Sequence, residues 1–201
     1  MPAPLHPHVS RKVKNFFRKI RTDEADIKLF KYKGKPHVLR IVRRLYGNES
    51  KMAAHRNWCQ QALFHAFFPQ YSLYPKGISY IVENGNARYG MVSEVVRKRT
   101  SKYFRFLQWR YLQKSPRLEN MPRKARLHRK WVDSIPDELL DLFEKEAGFR
   151  VDLAPQNVMN VNGRPLFVEV SLADKKKALA FLENHFPPEK RTLLQSWLRN
   201  A

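Results

Sequence analysis

Cysteine is almost absent from the sequence, which contains only Cys59. A single thiol excludes an intramolecular disulfide framework and a metal site made of cysteines alone. Long apolar runs are also missing, since no stretch approaches the roughly 20 residues that a membrane-crossing helix needs. The N-terminus lacks the apolar core of a secretion signal. These absences predict a cytoplasmic protein without a transmembrane segment, with peripheral attachment at the inner membrane surface as an alternative.

Acidic residues are scarce relative to basic ones: 18 Asp and Glu stand against 39 Lys and Arg, and the formal net charge is +21. The imbalance is greatest between residues 97 and 130, where thirteen bases accompany one acid, Glu119. Such a charge predicts an anionic partner, and RNA, a ribosomal particle and an acidic lipid surface all satisfy that expectation. The expected contact residues are Arg97, Lys98, Arg99, Lys102, Arg105, Arg123, Lys124, Arg126, Arg129 and Lys130.

The first 21 residues combine a proline-rich arm with a basic segment. Ser10 is a suitable N-cap, and Val13, Phe16, Phe17 and Ile20 recur at helical spacing between Lys and Arg residues. The pattern predicts a basic amphipathic helix that ends near Arg21. Such a helix either docks on the body of the protein or lies on a membrane or on RNA.

The rest of the chain divides into a strand-rich part and a more helical part. A hydrophobic content of 43% predicts that both parts are folded. Residues 22–96 show two strand hairpins, the second turning at Asn84-Gly85, with a helix between them. Residues 97–201 show helical patterns interrupted by a hairpin at 150–170. We therefore expect an α+β fold.

The stretch "VDLAPQNVMNVNGRPLFVEV", residues 151–170, contains three polar residues at a distinctive spacing. Asn157 follows Asp152 by five positions, and Glu169 follows Asn157 by twelve, across a turn at Gly163. A turn after Asp152 would bring its carboxylate beside the amide, and the hairpin would return Glu169 to the same place. Two carboxylates and an amide oxygen are hard ligands that suit Mg²⁺ and a polyphosphate.

These residues resemble the catalytic loop and metal-binding strand of the protein-kinase-like superfamily, in which Asp-Leu-x-x-x-Asn precedes a hairpin that ends in an acid. "DLAPQN" matches the three fixed positions, and Pro155 is similar to the form in aminoglycoside and lipopolysaccharide kinases. Three further segments also resemble parts of this superfamily. The segment "TDEADIKLFKYKGKPHVLRIV" resembles the first strands of RIO-type kinases, and "YGMVSEVV" resembles a strand leading into a kinase hinge. The segment "VEVSLADKKKALAFLENHF" resembles the RIO-type C-terminal tail. The resemblance runs in patches over about residues 22–186.

The resemblance implies a minimal two-lobed kinase-like fold, with a strand-rich N-lobe and a truncated, mostly helical C-lobe. It also implies ATP and Mg²⁺ as cofactors. Asp152 would accept the proton of the attacking hydroxyl or orient it, and Asn157 and Glu169 would hold Mg²⁺. Arg40 would contact the nucleotide phosphates, and the backbone from Glu94 to Val96 would contact adenine.

Several positions depart from the family pattern. Glu169 stands where the family usually has Asp, and Arg40 stands where it has Lys, so a planar fork replaces a compact ammonium. Arg150 stands where the family often has His, and no glycine-rich phosphate loop is visible. Each residue also has a structural interpretation: Asp152 as a turn cap, Asn157 as the residue that closes the turn, Glu169 as an ion-pair partner of Arg40, and Arg40 as an edge-strand surface residue.

Two functional hypotheses follow. The first is an ATP- and Mg²⁺-dependent phosphotransferase that acts on a protein or on an anionic envelope glycolipid. The alternative is a weak or inactive pseudokinase that serves as a basic binding platform for RNA, a ribosomal particle or an anionic membrane. The spacing of Asp152, Asn157 and Glu169 favours the first, and the departures at Arg40 and Glu169 together with the missing glycine-rich loop favour the second.

Overall fold

The computed structural model describes residues 9–13, 18–21, 25–32, 34–94, 123–154 and 157–201. A 3-10 turn, Pro69–Tyr71, lies between the first helix and the fifth strand, and a π-helical turn, Leu142–Glu146, continues the third helix. The strands and α-helices of the described residues are, in chain order, β1 (Val9–Lys12), β2 (Arg18–Arg21), β3 (Ala25–Tyr32), β4 (Lys35–Val42), α1 (Gly47–Phe67), β5 (Pro75–Glu83), β6 (Asn86–Glu94), α2 (Arg123–Asp133), α3 (Asp137–Asp141), β7 (Phe149–Val151), β8 (Val158–Val161), β9 (Arg164–Phe167), β10 (Val170–Leu172), α4 (Lys175–His185) and α5 (Pro188–Asn200).

Six strands form one sheet in the order β1-β5-β6-β4-β3-β2. The β1–β5 pair is parallel, and every other neighbouring pair is antiparallel. The β5–β6 hairpin turns at Asn84 and Gly85, which both have positive φ as this tight turn requires. Both hairpins expected in the strand-rich part are therefore confirmed. The connection between β4 and β5 is α1, as the helical spacing predicts.

The main apolar core lies between one face of this sheet and the C-terminal elements, with α1 in its centre. Trp58 of α1 contacts Trp197 of α5 edge-to-face, with ring centroids 5.4 Å apart. Phe64 of α1 meets Phe143 and Phe149 in the same edge-on manner, at 5.1 and 5.4 Å. Such aromatic pairs add to the free energy gained by burying their area. Consequently α1 joins the sheet and the C-terminal helices into one core.

The opposite face of the sheet carries a second, smaller apolar cluster that includes Leu39, Ile41 and Val92. Successive side chains of a strand point to opposite faces. Arg40 lies between Leu39 and Ile41 and pairs in register with Met91, a member of the main core. Its side chain therefore faces the side of the sheet that α1 and the C-terminal elements cover.

The basic amphipathic helix expected within residues 1–21 is wrong, because β1 and β2 are strands. They occupy the two edges of the sheet, where β5 and β3 present backbone N–H and C=O groups for pairing. Val, Ile and Phe, which suggest a helix stripe by their spacing, are also strong strand formers. Pairing with the sheet edges outweighs the weak helical pattern.

The α+β prediction agrees with the structure at the level of a mixed α and β fold, with strands dominant up to residue 94 and helices dominant from residue 123. The helices predicted at the end of the chain are confirmed as α4 and α5. The boundary at residue 96 falls outside the described residues, and the two-lobed kinase-like arrangement stays a prediction. No helix among the described residues combines the length and the apolar character needed to cross a membrane.

Candidate functional site

The loop that follows β7 is organised around the carboxylate of Asp152. The backbone N–H of Ala154 donates to Oδ1 of Asp152 at 2.7 Å, and the side-chain amide of Asn157 donates to Oδ2 at 2.5 Å. The backbone N–H of Asn157 donates to the Ala154 carbonyl at 2.7 Å. Asp152 therefore acts as a turn cap and at the same time holds Asn157 beside it, so its structural and functional interpretations are compatible.

The hairpin formed by β8 and β9 returns the chain to this loop. The backbone N–H of Val168 donates to the Asn157 carbonyl at 3.0 Å, and that of Asp152 donates to the Glu169 carbonyl at 3.3 Å. Pairing of Val151 with Val170 extends the contact as a two-stranded ladder of β7 and β10. Glu169 itself lies between β9 and β10 rather than within either strand.

Arg40 reaches the same place from the six-stranded sheet. Its guanidinium forms an ion pair, through Nη2, with Oε1 of Glu169. The two side chains are 22% and 27% exposed, so the pair lies at a partly solvated surface. Strand β4 lies between β3 and β6, and the interpretation of Arg40 as an edge-strand residue is therefore wrong. The interpretation of Glu169 as its ion-pair partner is confirmed.

The four residues Arg40, Asp152, Asn157 and Glu169 form what we call the polar cluster. The side-chain NH2 group of Asn157 donates to Asp152, so the amide oxygen of Asn157 is left to accept a hydrogen bond or to coordinate a metal ion. Two carboxylates and one amide oxygen match the hard oxygen ligands that Mg²⁺ prefers. No group of three or more His, Cys, Asp or Glu side chains in the described part of the chain is arranged to hold a metal ion. With Asp152 reserved for the attacking hydroxyl, the metal ligands of the polar cluster would be the Asn157 amide oxygen and the Glu169 carboxylate.

The expected adenine-contacting segment is only partly described. Glu94 is the last residue of β6, where its backbone pairs in register with His37 of β4. Val96 lies outside the described residues, so the segment predicted to lead into a kinase hinge is described only as far as Glu94. These two assignments remain sequence-based predictions.

The basic residues expected to contact an anionic partner fall into two groups. The first lies outside the described residues and comprises Arg97, Lys98, Arg99, Lys102 and Arg105. The second lies on α2, where Arg123, Arg126 and Lys130 are exposed. Arg129, also on α2, forms an ion pair with Asp133 one turn later, with Nε 2.9 Å from Oδ1. Lys124 is part of α2 as well.

A buried histidine connects α2 to the hairpin that carries the polar cluster. His128 is buried, and its Nε2 donates to the carbonyl oxygen of Val158 at 3.0 Å. Its ring also stacks on Trp131, with centroids 5.4 Å apart. Val158 follows Asn157 directly, so this contact fixes the backbone beside the Asn157 side chain. The sequence gives no role to His128, because nothing in its spacing points to a partner thirty residues away.

An ionic network on the other face of the sheet is also unforeseen. Arg88 of β6 donates to Asp26 of β3 at 2.7 Å and to Glu83 of β5 at 2.6 Å. Lys28 donates to the second oxygen of Glu83 at 2.6 Å. Asp26, Lys28 and Arg88 are almost fully buried, where an uncompensated charge would be very costly. In the sequence, this network is indicated by the alternation of the charged residues Asp26 and Lys28 with apolar residues of the same strand.

Charge compensation in this network is visible in the pKa of Glu83. Partial burial alone raises the pKa of this carboxyl group, but the hydrogen bonds and positive charges of Lys28 and Arg88 outweigh burial. The pKa therefore falls from 4.5 to about 2. Arg88 also packs over the ring of Tyr46, 5.3 Å from its centroid. These contacts tie β3, β5 and β6 together and are structural rather than catalytic in character.

Comparisons with known proteins assign no family to the chain. No protein-family model matches it, and no curated protein matches it closely enough to count as a relative. Any functional assignment therefore depends on the geometry of the polar cluster and on the charge distribution.

Proposed function

We propose that the chain is an ATP- and Mg²⁺-dependent phosphotransferase of the protein-kinase-like type, acting on a protein or on an anionic envelope glycolipid. The observation that carries the proposal is the convergence of the polar cluster. Arg40 comes from the centre of the N-terminal sheet, whereas Asp152, Asn157 and Glu169 come from one hairpin in the last third of the chain. Phosphoryl transfer depends mainly on positioning and on charge neutralisation, for which these groups are suitable.

In this proposal each residue has a separate task. The amide oxygen of Asn157 and the carboxylate of Glu169 hold the metal, which supplies neutralising charge to the nucleotide phosphates when it is bound. Asp152, fixed by its hydrogen bonds to Ala154 and Asn157, orients the attacking hydroxyl and accepts its proton. Backbone groups from Glu94 to Val96 contact adenine.

The ion pair between Arg40 and Glu169 fits a phosphate-binding role for Arg40. A guanidinium has five N–H donors, and the ion pair with Glu169 is made through Nη2. The remaining donors are available to a phosphate, for which arginine has a matching planar geometry. Glu169 thereby aims Arg40 toward the place where the nucleotide phosphates would lie.

Nucleotide binding is the first test of the proposal. We expect Mg²⁺ with ATP to raise the Tm of the full chain, because a ligand at about 100 times its Kd stabilises a protein by about 2.7 kcal/mol. Mg²⁺ alone and ATP alone are the reference conditions. Glu169→Gln should remove the Mg²⁺-dependent part of the increase, while Glu183→Gln, which changes an exposed carboxylate on α4, should leave it intact.

Catalysis is tested by release or transfer of the γ-phosphate. Asp152→Asn should abolish turnover and keep only part of the nucleotide-dependent increase in Tm, because its one amide oxygen can accept from Ala154 but its NH2 group then faces the NH2 group of Asn157. The proposal fails if the wild-type chain shows neither stabilisation by millimolar Mg²⁺-ATP nor phosphate release with protein and glycolipid substrates.

One observation favours the alternative of a pseudokinase that serves as a basic binding platform. Glu169 is already neutralised by Arg40, so the carboxylate needed for the metal and the cation needed for phosphate satisfy each other. A chain of this kind would bind RNA, a ribosomal particle or an anionic membrane without turnover. It would keep that binding in Asp152→Asn and would show no Mg²⁺-dependent increase in Tm.

A further inference from the structure

Helix α2 has a buried face and an exposed face with different chemistry. His128 and Val132 are buried, and Trp131 packs against the main core. Arg123, Arg126 and Lys130 are exposed. Residues at positions i, i+3 and i+7 lie on one side of a helix. These three cations therefore form a single line on the side of α2 that is turned away from the core, which we call the α2 stripe.

The cations of the α2 stripe form no ion pair with an acid of the described residues. Asp133, the acid on α2, follows Lys130 by three positions on the same side of the helix, but its carboxylate is paired with Arg129. Arg123, Arg126 and Lys130 have no ion-pair partner among the described residues, although seven ion pairs are formed elsewhere in that part of the chain. Three like charges on one helix face repel each other. Such an arrangement lowers helix stability slightly, and an anionic partner would offset that cost.

We propose that the α2 stripe binds the phosphate backbone of a nucleic acid. Two of its three cations are arginines, whose planar donors match phosphate oxygens better than an ammonium does. The helix rise places successive cations roughly 4.5 and 6 Å apart along the axis. A net charge of +21 adds long-range attraction for a polyanion. This inference does not depend on phosphotransfer at the polar cluster.

A membrane surface fits the same helix less well. A helix that lies in a membrane interface buries its apolar face among the lipids, whereas the apolar face of α2 is already packed in the core. Leu127 is the exposed large hydrophobic residue beside the stripe, at 57% exposure.

The location of the stripe ties it to the hairpin of the polar cluster. The face of α2 opposite the stripe holds the Val158 carbonyl through His128, at 3.0 Å. Helix α2 would therefore have the nucleic acid on its exposed face and would support the backbone beside Asn157 with its buried face. Because the nucleic acid would contact only the exposed face of α2, binding requires no change in the polar cluster itself.

The test is the salt dependence of binding, measured by fluorescence anisotropy with single-stranded RNA, duplex RNA and duplex DNA. The triple variant Arg123→Gln, Arg126→Gln, Lys130→Gln removes the stripe. Loss of three phosphate contacts should lower the slope of log K against log salt concentration by about 2.1 for a single strand and about 2.7 for a duplex. The control triple variant Lys176→Gln, Lys190→Gln, Arg199→Gln removes the same charge from exposed positions on α4 and α5. It should keep the wild-type slope.

Three outcomes would overturn the proposal. The first is an unchanged slope in the stripe variant, and the second is an equal decrease in both triple variants, which would indicate attraction to net charge alone. The third is binding to vesicles of phosphatidylcholine and phosphatidylserine without binding to any of the three nucleic acids. Far-UV circular dichroism should match the wild type in both variants, and the Tm should not fall below that of the wild type in either, since all six side chains are exposed. If the chain binds RNA and DNA with different affinity, the tighter binding identifies the natural polymer, and the proposal holds in either case.

Discussion

The guanidinium of Arg40, on the fourth strand of the sheet, forms an ion pair with the carboxylate of Glu169, which follows the β8–β9 hairpin. The contact links the sheet directly to the segment that pairs with the loop in which Asp152 holds Asn157. It makes Glu169 serve two purposes in the proposed site, as a metal ligand and as the residue that orients a phosphate-binding cation. The energy of this pair can be measured independently of any ligand.

A double-mutant cycle with Arg40→Met and Glu169→Gln should give a coupling energy of about 1 kcal/mol in urea unfolding, the upper end for a partly solvated pair. The pair of Arg150 and Glu144 is a matched control, with Nη2 2.9 Å from Oε1 but side chains 67% and 50% exposed. Its cycle should give a coupling energy near zero. Additive effects at Arg40 and Glu169 would show that their contact contributes nothing to stability.

The network around Glu83 predicts a specific loss of stability in acid. Because the pKa of Glu83 in the folded chain, about 2, lies below its usual 4.5, the folded state favours the ionised form. The stability from this group is fully present above pH 4.5 and is lost as the pH falls toward 2. Urea unfolding across this range should show a smaller acid loss in Glu83→Gln than in wild type. Glu146→Gln, an exposed change, should follow the wild-type curve.

Gly148 and Gly163 allow a matched comparison of Gly→Ala substitutions in the backbone that supports the polar cluster. Both have positive φ, at 70° and 84°. A Cβ at Gly148 would collide with the backbone carbonyl oxygen of Asp174, whereas one at Gly163 would meet nothing within 4 Å. Gly163→Ala should therefore cost about 1 kcal/mol of unfolding free energy. Gly148→Ala should cost roughly 3 kcal/mol or more, since it adds a clash to the backbone strain. Equal costs in thermal or urea unfolding would contradict the predicted clash.

Local patterns in the sequence predict the elements that local chemistry controls. The β5–β6 turn follows from Asn84-Gly85, and α1, α4 and α5 follow from helical spacing, with Asp174 as the side-chain cap of α4. The gathering of Asp152, Asn157 and Glu169 also follows from spacing, because a short turn and a hairpin leave few alternatives. The sequence does not decide between a metal ligand and an ion-pair partner for Glu169, since its partner comes from a distant strand.

Elements that depend on distant partners are where sequence reasoning fails. The segments at Val9–Lys12 and Arg18–Arg21 become strands because the edges of a sheet are available, and their own spacing suggests a helix. The pairing of Asp26 with Arg88 and the contact of His128 with Val158 join residues far apart in the chain. No local pattern specifies such contacts, although polar residues alternating within an apolar strand indicate that buried partners exist.

The aromatic contacts of α1 with α5 and with the elements before β7 have a mechanical consequence. A protein with two separately packed bodies can swing them about a linker, as many ligand-closing enzymes do. Here Trp58 packs on Trp197, and Phe64 packs on Phe143, so a swing of α1 away from the C-terminal elements would have to pull interlocked rings apart. The C-terminal elements should therefore move together with α1 as one stiff unit in any opening toward Arg40 and Glu169.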